Sequence, residues 1–341
     1  MTPHPSPAAA PRIELRVHGG FVDWLAASRG TVAVTTYNSG KLAMFGAPAG
    51  RLECRIWKLA RPMGLAYDRG RLAVATREEI LEWQLQGAAS EGDDREVLPR
   101  FTLAATHATG RLDVHELVYD TRGLVFANTR FNCIARPSER ARFRRSWSPW
   151  FMREPTPRDC CHLNGLGLRG GRVALATAFC TGGEPGSWRG GDRFSSGVVL
   201  DVRQERVAVA GLCMPHSPRW YGRRWWLCNS GEGTLCTFEP SSGECTPVAA
   251  LPGFTRGLAF AAGHALVGLS RIRKRHVLDA PPVRERFPQL RSGVWLVDPA
   301  TGRTAGALEF VRGGREVFDV AFLAGILRPE LDLAENSPPL A

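Results

Sequence analysis

The feature that most constrains this chain is a diverged repeat running through almost all of its 341 residues. Val22–Thr36, Met63–Thr76, His115–Thr129, Asn164–Thr177, Pro218–Ser230 and Arg256–Ser270 can be laid under one another. Each reads as a short apolar run, a turn carrying Gly, a second apolar run and a closing Ser or Thr, which is the pattern of a half-buried hairpin. Copies begin about 40 to 53 residues apart, the period of one propeller blade. Between copies lies a second, more polar hairpin, with turns such as Glu239–Gly243 and Asp298–Gly302. Two hairpins per period make a four-stranded antiparallel blade. The expected fold is therefore all-β: a single β-propeller of six blades, with seven as the alternative. That alternative rests on Val317–Leu323, which resembles the first strand of a further copy and is expected to pair with Ile13–Val17 to close the ring. The propeller should span 13–328, between a disordered Pro- and Ala-rich leader at 1–12 and a C-terminal tail at 329–341. No sustained amphipathic helix is expected.

Composition narrows the function classes. A hydrophobic share of 44% with 23% charged residues is that of a soluble globular chain, and no apolar run is long enough to span a bilayer. The formal charge of +11 is almost entirely arginine, since Lys41, Lys58 and Lys274 are the only lysines. The densest basic runs are Arg136–Arg153 and Arg271–Arg275. No recognition helix or RNA-binding signature accompanies them, so a small polar or anionic ligand, or a protein partner, is expected before nucleic acid. Nine scattered cysteines with no C-x-x-C pair point to reduced thiols and a cytoplasmic location.

Four segments carry a family likeness: Asn128–Ala135 (NTRFNCIA), Cys161–Leu166 (CHLNGL), Met214–Trp220 (MPHSPRW) and Gly253–Ala259 (GFTRGLA). With them the chain resembles, over nearly its whole length, a bacterial family of conserved proteins of unknown function. The resemblance implies a propeller-like fold and brings no activity with it.

The chemistry must come from the residues. His115, His162 and His216 fall at the entrances of first strands in three successive copies, and residues two apart in a strand share a face. If these imidazoles converge on the axis, they could bind a divalent transition metal with open positions for water or substrate. Glu116 is then a candidate general base or partner of a metal ligand, although as the neighbour of His115 it should face the other way. Arg130 and Arg256 interrupt apolar stretches near the channel and could grip a carboxylate or phosphate. Asn164, which opens its copy, completes the catalytic candidates. The competing reading makes His162-Leu-Asn-Gly and Pro215-His-Ser-Pro structural turns, and the terminal Ser and Thr residues satisfiers of backbone groups. Cys161 beside His162 cannot serve as its nucleophile in an extended segment, and Cys133 is given no role. The Gly-rich Thr181–Gly191 segment lacks a phosphate-loop ending and should form a loop over one end of the ring, with Trp188 placed to cap a substrate.

Two functions follow. One is an enzyme with an axial histidine-lined site, metal-dependent on this reading, of the hydrolase, lyase or oxygenase type and acting on a small polar or peptide-like molecule. The other is a non-catalytic binding propeller that presents the basic Arg140–Arg153 segment with Phe143, Trp147, Trp150 and Phe151 to an acidic partner.

Overall fold

A computed structural model of the chain describes residues 12–86, 98–152, 156–190, 192–272 and 282–333. Most of the expected leader and tail lie outside these residues. The described chain forms six antiparallel sheets arranged as propeller blades, with few helical residues. Written from the axis outward, blade one is Val317–Ala324, Gly30–Thr36, Lys41–Gly46 and Glu53–Lys58. Blade two is Leu65–Asp68, Arg71–Ala75, Glu79–Gln86 and Arg100–Ala108. Blade three is Val114–Asp120, Gly123–Asn128, Cys133–Arg136 and Arg144–Trp147. Blade four is Gly165–Arg169, Arg172–Ala178, Gly197–Asp201 and Arg206–Leu212. Blade five is Pro215–Tyr221, Arg224–Asn229, Thr234–Glu239 and Glu244–Ala250. Blade six is Phe254–Ala261, His264–Ser270, Gly293–Val297 and Thr304–Arg312.

Six blades close the ring, and they close it differently from the pairing expected of the termini. Val317–Ala324 is the innermost strand of blade one and pairs with Gly30–Thr36, not with Ile13–Val17. Glu14–Gly19 instead adds a fifth strand to the outer edge of blade six, opposite Gly306–Arg312. The C-terminal strand therefore supplies what the first repeat lacks. That repeat's leading segment, Phe21–Ser28, is a two-turn helix. Its inner position is already filled, so the helix lies outside and buries Phe21 and Leu25, one turn apart, against Leu308 and Phe310 of blade six. Arg29 ends it in the left-handed region. Glu330–Leu331, expected in the tail, adds a short parallel strand beside Arg100–Phe101.

The core sits between blades, where each sheet lays its apolar face on the next. Ala33, Leu42, Met44 and Leu323 of blade one meet Leu72, Leu81, Trp83 and Phe101 of blade two in one cluster. Each such fully buried large side chain contributes roughly 1.5–3 kcal/mol over an exposed one. Hydroxyls at or next to the repeat's closing Ser/Thr position stitch blades together: Thr35 donates to Met63 O at 2.6 Å, Thr129 to Leu163 O at 2.6 Å and Ser270 to Val317 O at 2.8 Å. The structural reading of that Ser/Thr set holds for these residues.

Every inner strand starts at one end of the ring, called here the entry end, and finishes at the opposite, exit end, in a hairpin turn in blades two to six. The pairing of first and second strands is irregular in five blades, and the breaks in blades five and six face each other. Register shifts lie between His216 and Arg219 in blade five and between Thr255 and Leu258 in blade six. Ser217 and Gly257 take positive φ there, at 53° and 72°. The Gly257 N–H donates to Ser217 Oγ at 3.1 Å, and a Cβ on Gly257 would lie 2.7 Å from Val320 N. The bulges break strict alternation where side chains turn into the channel.

Candidate functional site

At the entry end a cavity of about 350 Å³ opens among the inner-strand starts and second-strand ends. His115, His162 and Arg256 line it, together with Asp159, Trp188 and Phe318. The loops entering the inner strands bring these residues together, because successive blades present equivalent positions to one space.

His162 is fixed by its own turn. It has φ of +54°, and its Nδ1 lies 2.9 Å from Asp159 Oδ2, which also accepts the Trp188 indole N–H at 3.0 Å. Burial alone would raise the Asp159 pKa, but His162, Arg189 and the indole N–H together hold it below the ordinary value. An ionised carboxylate can only accept, so His162 Nδ1 carries a proton and donates it to Asp159, with Nε2 left to face the cavity. Trp188 and Phe179 flank the imidazole at 4.3 and 4.5 Å between ring centroids.

His115 meets His162 edge-on at 4.7 Å. Its Nδ1 is 2.9 Å from Asp113 O and 2.8 Å from Thr129 Oγ1. The Thr129 hydroxyl donates to Leu163 O, so Nδ1 is again the protonated nitrogen. Burial, His162 and Arg256 push the His115 pKa well below its usual value, which keeps the ring neutral. His216 follows the same pattern, with Nδ1 held by Met214 O at 3.1 Å and Ser230 Oγ at 2.8 Å. Its pKa is lowered by burial, then by Arg256, His115 and His162. It sits behind the cavity wall, between Phe179 and Phe254.

Arg256 is the unusual cation. Its guanidinium carbon stands 3.4 Å from the Phe318 ring centroid, and it makes no hydrogen bond or ion pair with a described residue. Burial draws its pKa down to about 10, partly opposed by the carboxylates of Asp319 and Glu316. Arg271, which opens the second basic run of the sequence, also lines the space, anchored to Phe310 O and near Glu309.

The other candidates lie elsewhere. Glu116 is buried deeper in the channel, paired with Arg219 and accepting from Leu166 N at 3.2 Å, and it does not line the cavity. Asn164 donates to His162 O and accepts from Thr177 Oγ1, a structural clasp. Arg130 anchors two loops through its backbone, at Leu112 O and Asp159 N, and its side chain is not among the cavity residues. Cys133 and Cys161 are fully buried, and burial pushes both thiols up. Of the basic aromatic segment, Phe143 packs on Phe131, and Trp147 and Phe151 lie against the core, leaving Trp150 exposed.

The expected metal site does not fit this geometry. Phe179 stands between His162 and His216, and among the described residues no three His, Cys, Asp or Glu side chains are grouped to hold a metal ion. Asp159 and Phe318, absent from the candidate list, take the partnering roles. Asp159 could have been found from its place three residues before His162. Phe318 could not, because nothing local links it to Arg256.

Comparison with solved structures finds the same architecture at very low identity. The chain is similar to one in a nidogen/laminin complex, with 9% identity over 87% of this chain and 100% of that one and a TM-score of 0.54. It is also similar to a protein provisionally named a gluconolactonase, with 11% identity over 91% of this chain and 95% of that one and a TM-score of 0.53. No curated protein sequence is significantly similar to it. Both structural likenesses speak to the fold alone. Residues 19–331 match the model of a domain of unknown function, DUF4915, so this chain is a member of that family.

Proposed function

We propose that the entry-end cavity is an active site for a small anionic molecule, in which Arg256 binds a carboxylate or phosphate and His162 Nε2 accepts a proton. The observation that carries this reading is Arg256 itself: a guanidinium against the Phe318 ring, without a hydrogen bond to a described residue, beside the imidazoles of His115 and His162. A half-buried cation without a hydrogen-bonding partner is a ready place for an anionic ligand. Asp159 fixes the His162 tautomer and stabilises the imidazolium that forms, as an acidic partner does in acid–base sites. His115 packs edge-on against His162 and fixes that ring's orientation from the neighbouring blade. The size of the cavity suits a small molecule, not a polymer. The solved propeller named a gluconolactonase agrees with an enzyme on this scaffold but, through its fold alone, assigns no substrate.

Small carboxylates and phosphate monoesters should be screened by thermal shift on the purified chain, and hits followed by NMR for turnover. A ligand is expected to raise Tm in wild type and to lose at least tenfold in affinity in Arg256→Met. Asp159→Asn and His162→Gln should keep binding within a few-fold and lose turnover by 10²-fold or more, on the order of a general-base contribution. Unchanged binding in Arg256→Met would refute the reading. Binding without turnover in wild type would make the protein a receptor for the same ligand.

A further inference from the structure

The exit end carries a second site that uses none of these residues. Seven exposed arginines sit at the exit end: Arg29, which ends the helix before the second strand of blade one, and, at the turns between first and second strands, Arg69 of blade two, Arg122 of three, Arg169 and Arg172 of four, and Arg223 and Arg224 of five. Blade six adds His264. None of the seven forms a side-chain hydrogen bond or ion pair with a described residue. The two acidic residues on the same turns are already occupied, Asp68 by Arg71 at 2.6 Å and Asp120 by Arg136. The ring is thus a circle of exposed guanidinium groups, within which Arg122 still acts on Asp120 and Arg169 on Glu239 across longer distances.

It surrounds an open mouth of about 420 Å³ to which inner strands of all six blades contribute. The mouth is aromatic: Tyr67, Tyr119, Trp220, Tyr221, Phe260 and Phe322 line it. Arginine and aromatic groups are coupled there. The Arg169 guanidinium lies 4.1 Å from the Trp220 ring, and Tyr221 stacks on Phe260 at 4.1 Å with 8° between planes. Arg219, which lines the mouth, pairs with the buried Glu116.

We propose that the exit mouth binds single-stranded nucleic acid, with a base entering the aromatic collar and successive phosphates resting on the arginine ring. Aromatic platforms with a positive track are how sequence-tolerant single-strand binding works, and guanidinium forks match phosphate oxygens. An acidic peptide would use the arginines but has no flat ring for the collar. A membrane would need aromatic groups projecting from the surface, whereas these are recessed inside it. The ring escapes a search for basic runs, because each blade contributes only one or two of its residues.

The test is fluorescence anisotropy of a labelled twelve-residue oligouridylate with the full chain between 50 and 200 mM salt. We expect saturable binding whose salt slope corresponds to about four to six phosphates, and quenching of Trp fluorescence. Arg169→Glu/Arg223→Glu, at exposed turns, should weaken binding at least tenfold with Tm unchanged. Arg256→Met, in the other cavity, should leave it unchanged, so this site and the entry site can fail separately. Four results would overturn the proposal: no binding at 50 mM salt, equal affinity for heparin or poly-glutamate, equal affinity for free uridine monophosphate, or insensitivity to the double charge reversal.

Discussion

His162 shows how a single residue joins backbone and chemistry. Its left-handed φ is uncommon outside glycine and asparagine, and the turn that imposes it sets Nδ1 on Asp159. The neutral imidazoles of His115 and His216 should be visible by NMR, with ring resonances that do not titrate near pH 6.5, the ordinary range for histidine. Titration of either at that pH would contradict the buried, Nδ1-anchored geometry. Gly257 is a purely steric residue: at φ of 72° its Cα faces the backbone of the closing strand. Gly257→Ala should lower stability by more than about 1 kcal/mol, because strain in the left-handed region adds to a backbone collision. A Tm within a degree of wild type would refute this. Histidine positions were legible in the sequence because they recur with the repeat. The partners of Arg256 were not, since Phe318 lies 62 residues away along the chain and meets it only through ring closure.

At the scale of elements, the two terminal strands differ in weight. Val317–Ala324 is buried along almost its whole length, whereas Glu14–Gly19 is exposed at most positions. Deleting residues 1–19 should leave a folded ring with a modestly lower Tm. Ending the chain at residue 316 should abolish cooperative unfolding, because it strips blade one of its inner strand and exposes the apolar faces of blades six and one. Circular dichroism melts of the two truncations would decide this; equal damage would be the contrary result. The helix Phe21–Ser28 belongs to the same lesson. Its apolar spacing satisfies either a strand or a short helix, and occupancy of the inner position by a distant strand selects the helix.

At the scale of the whole molecule, charged groups in the channel tie blades to one another. Glu116 of blade three pairs with Arg219 of blade five, Arg219 donates to Leu258 O of blade six, and Asp319 of blade one accepts from Leu65 N of blade two. Burial pushes the Glu116 pKa up to about 7, with Arg219 opposing and Asp319 adding to the rise. A carboxyl raised from 4.5 to about 7 in the folded state takes up protons on folding, so its contribution favours the fold at low pH and fades as pH climbs through that window. The depressed histidines act in the opposite sense: the unfolded chain gains protons first, so stability falls as pH drops below about 6.5. In wild type the two effects oppose between about pH 4.5 and 6.5. Glu116→Gln should therefore lose stability more steeply on acidification than wild type, measured as Tm against pH. A shallower slope in the variant would overturn the assignment. Removing Arg219 alone, as in Arg219→Met, should cost about 3–5 kcal/mol, and removing both charges less than the sum of the single changes.

By itself the sequence determined the blade. A hairpin pattern is local, written in alternation and glycine turns within some fifteen residues, so the repeat, the four-stranded sheet and the histidines at strand entrances could all be read along the chain. Only the tertiary structure decided which strand completes blade one, that Glu116 belongs to the channel's ion pairs and not to the cavity, and that seven scattered arginines form one ring. Those outcomes depend on contacts between residues tens to hundreds of positions apart, where no sequence period carries information and closure of the ring sets the geometry.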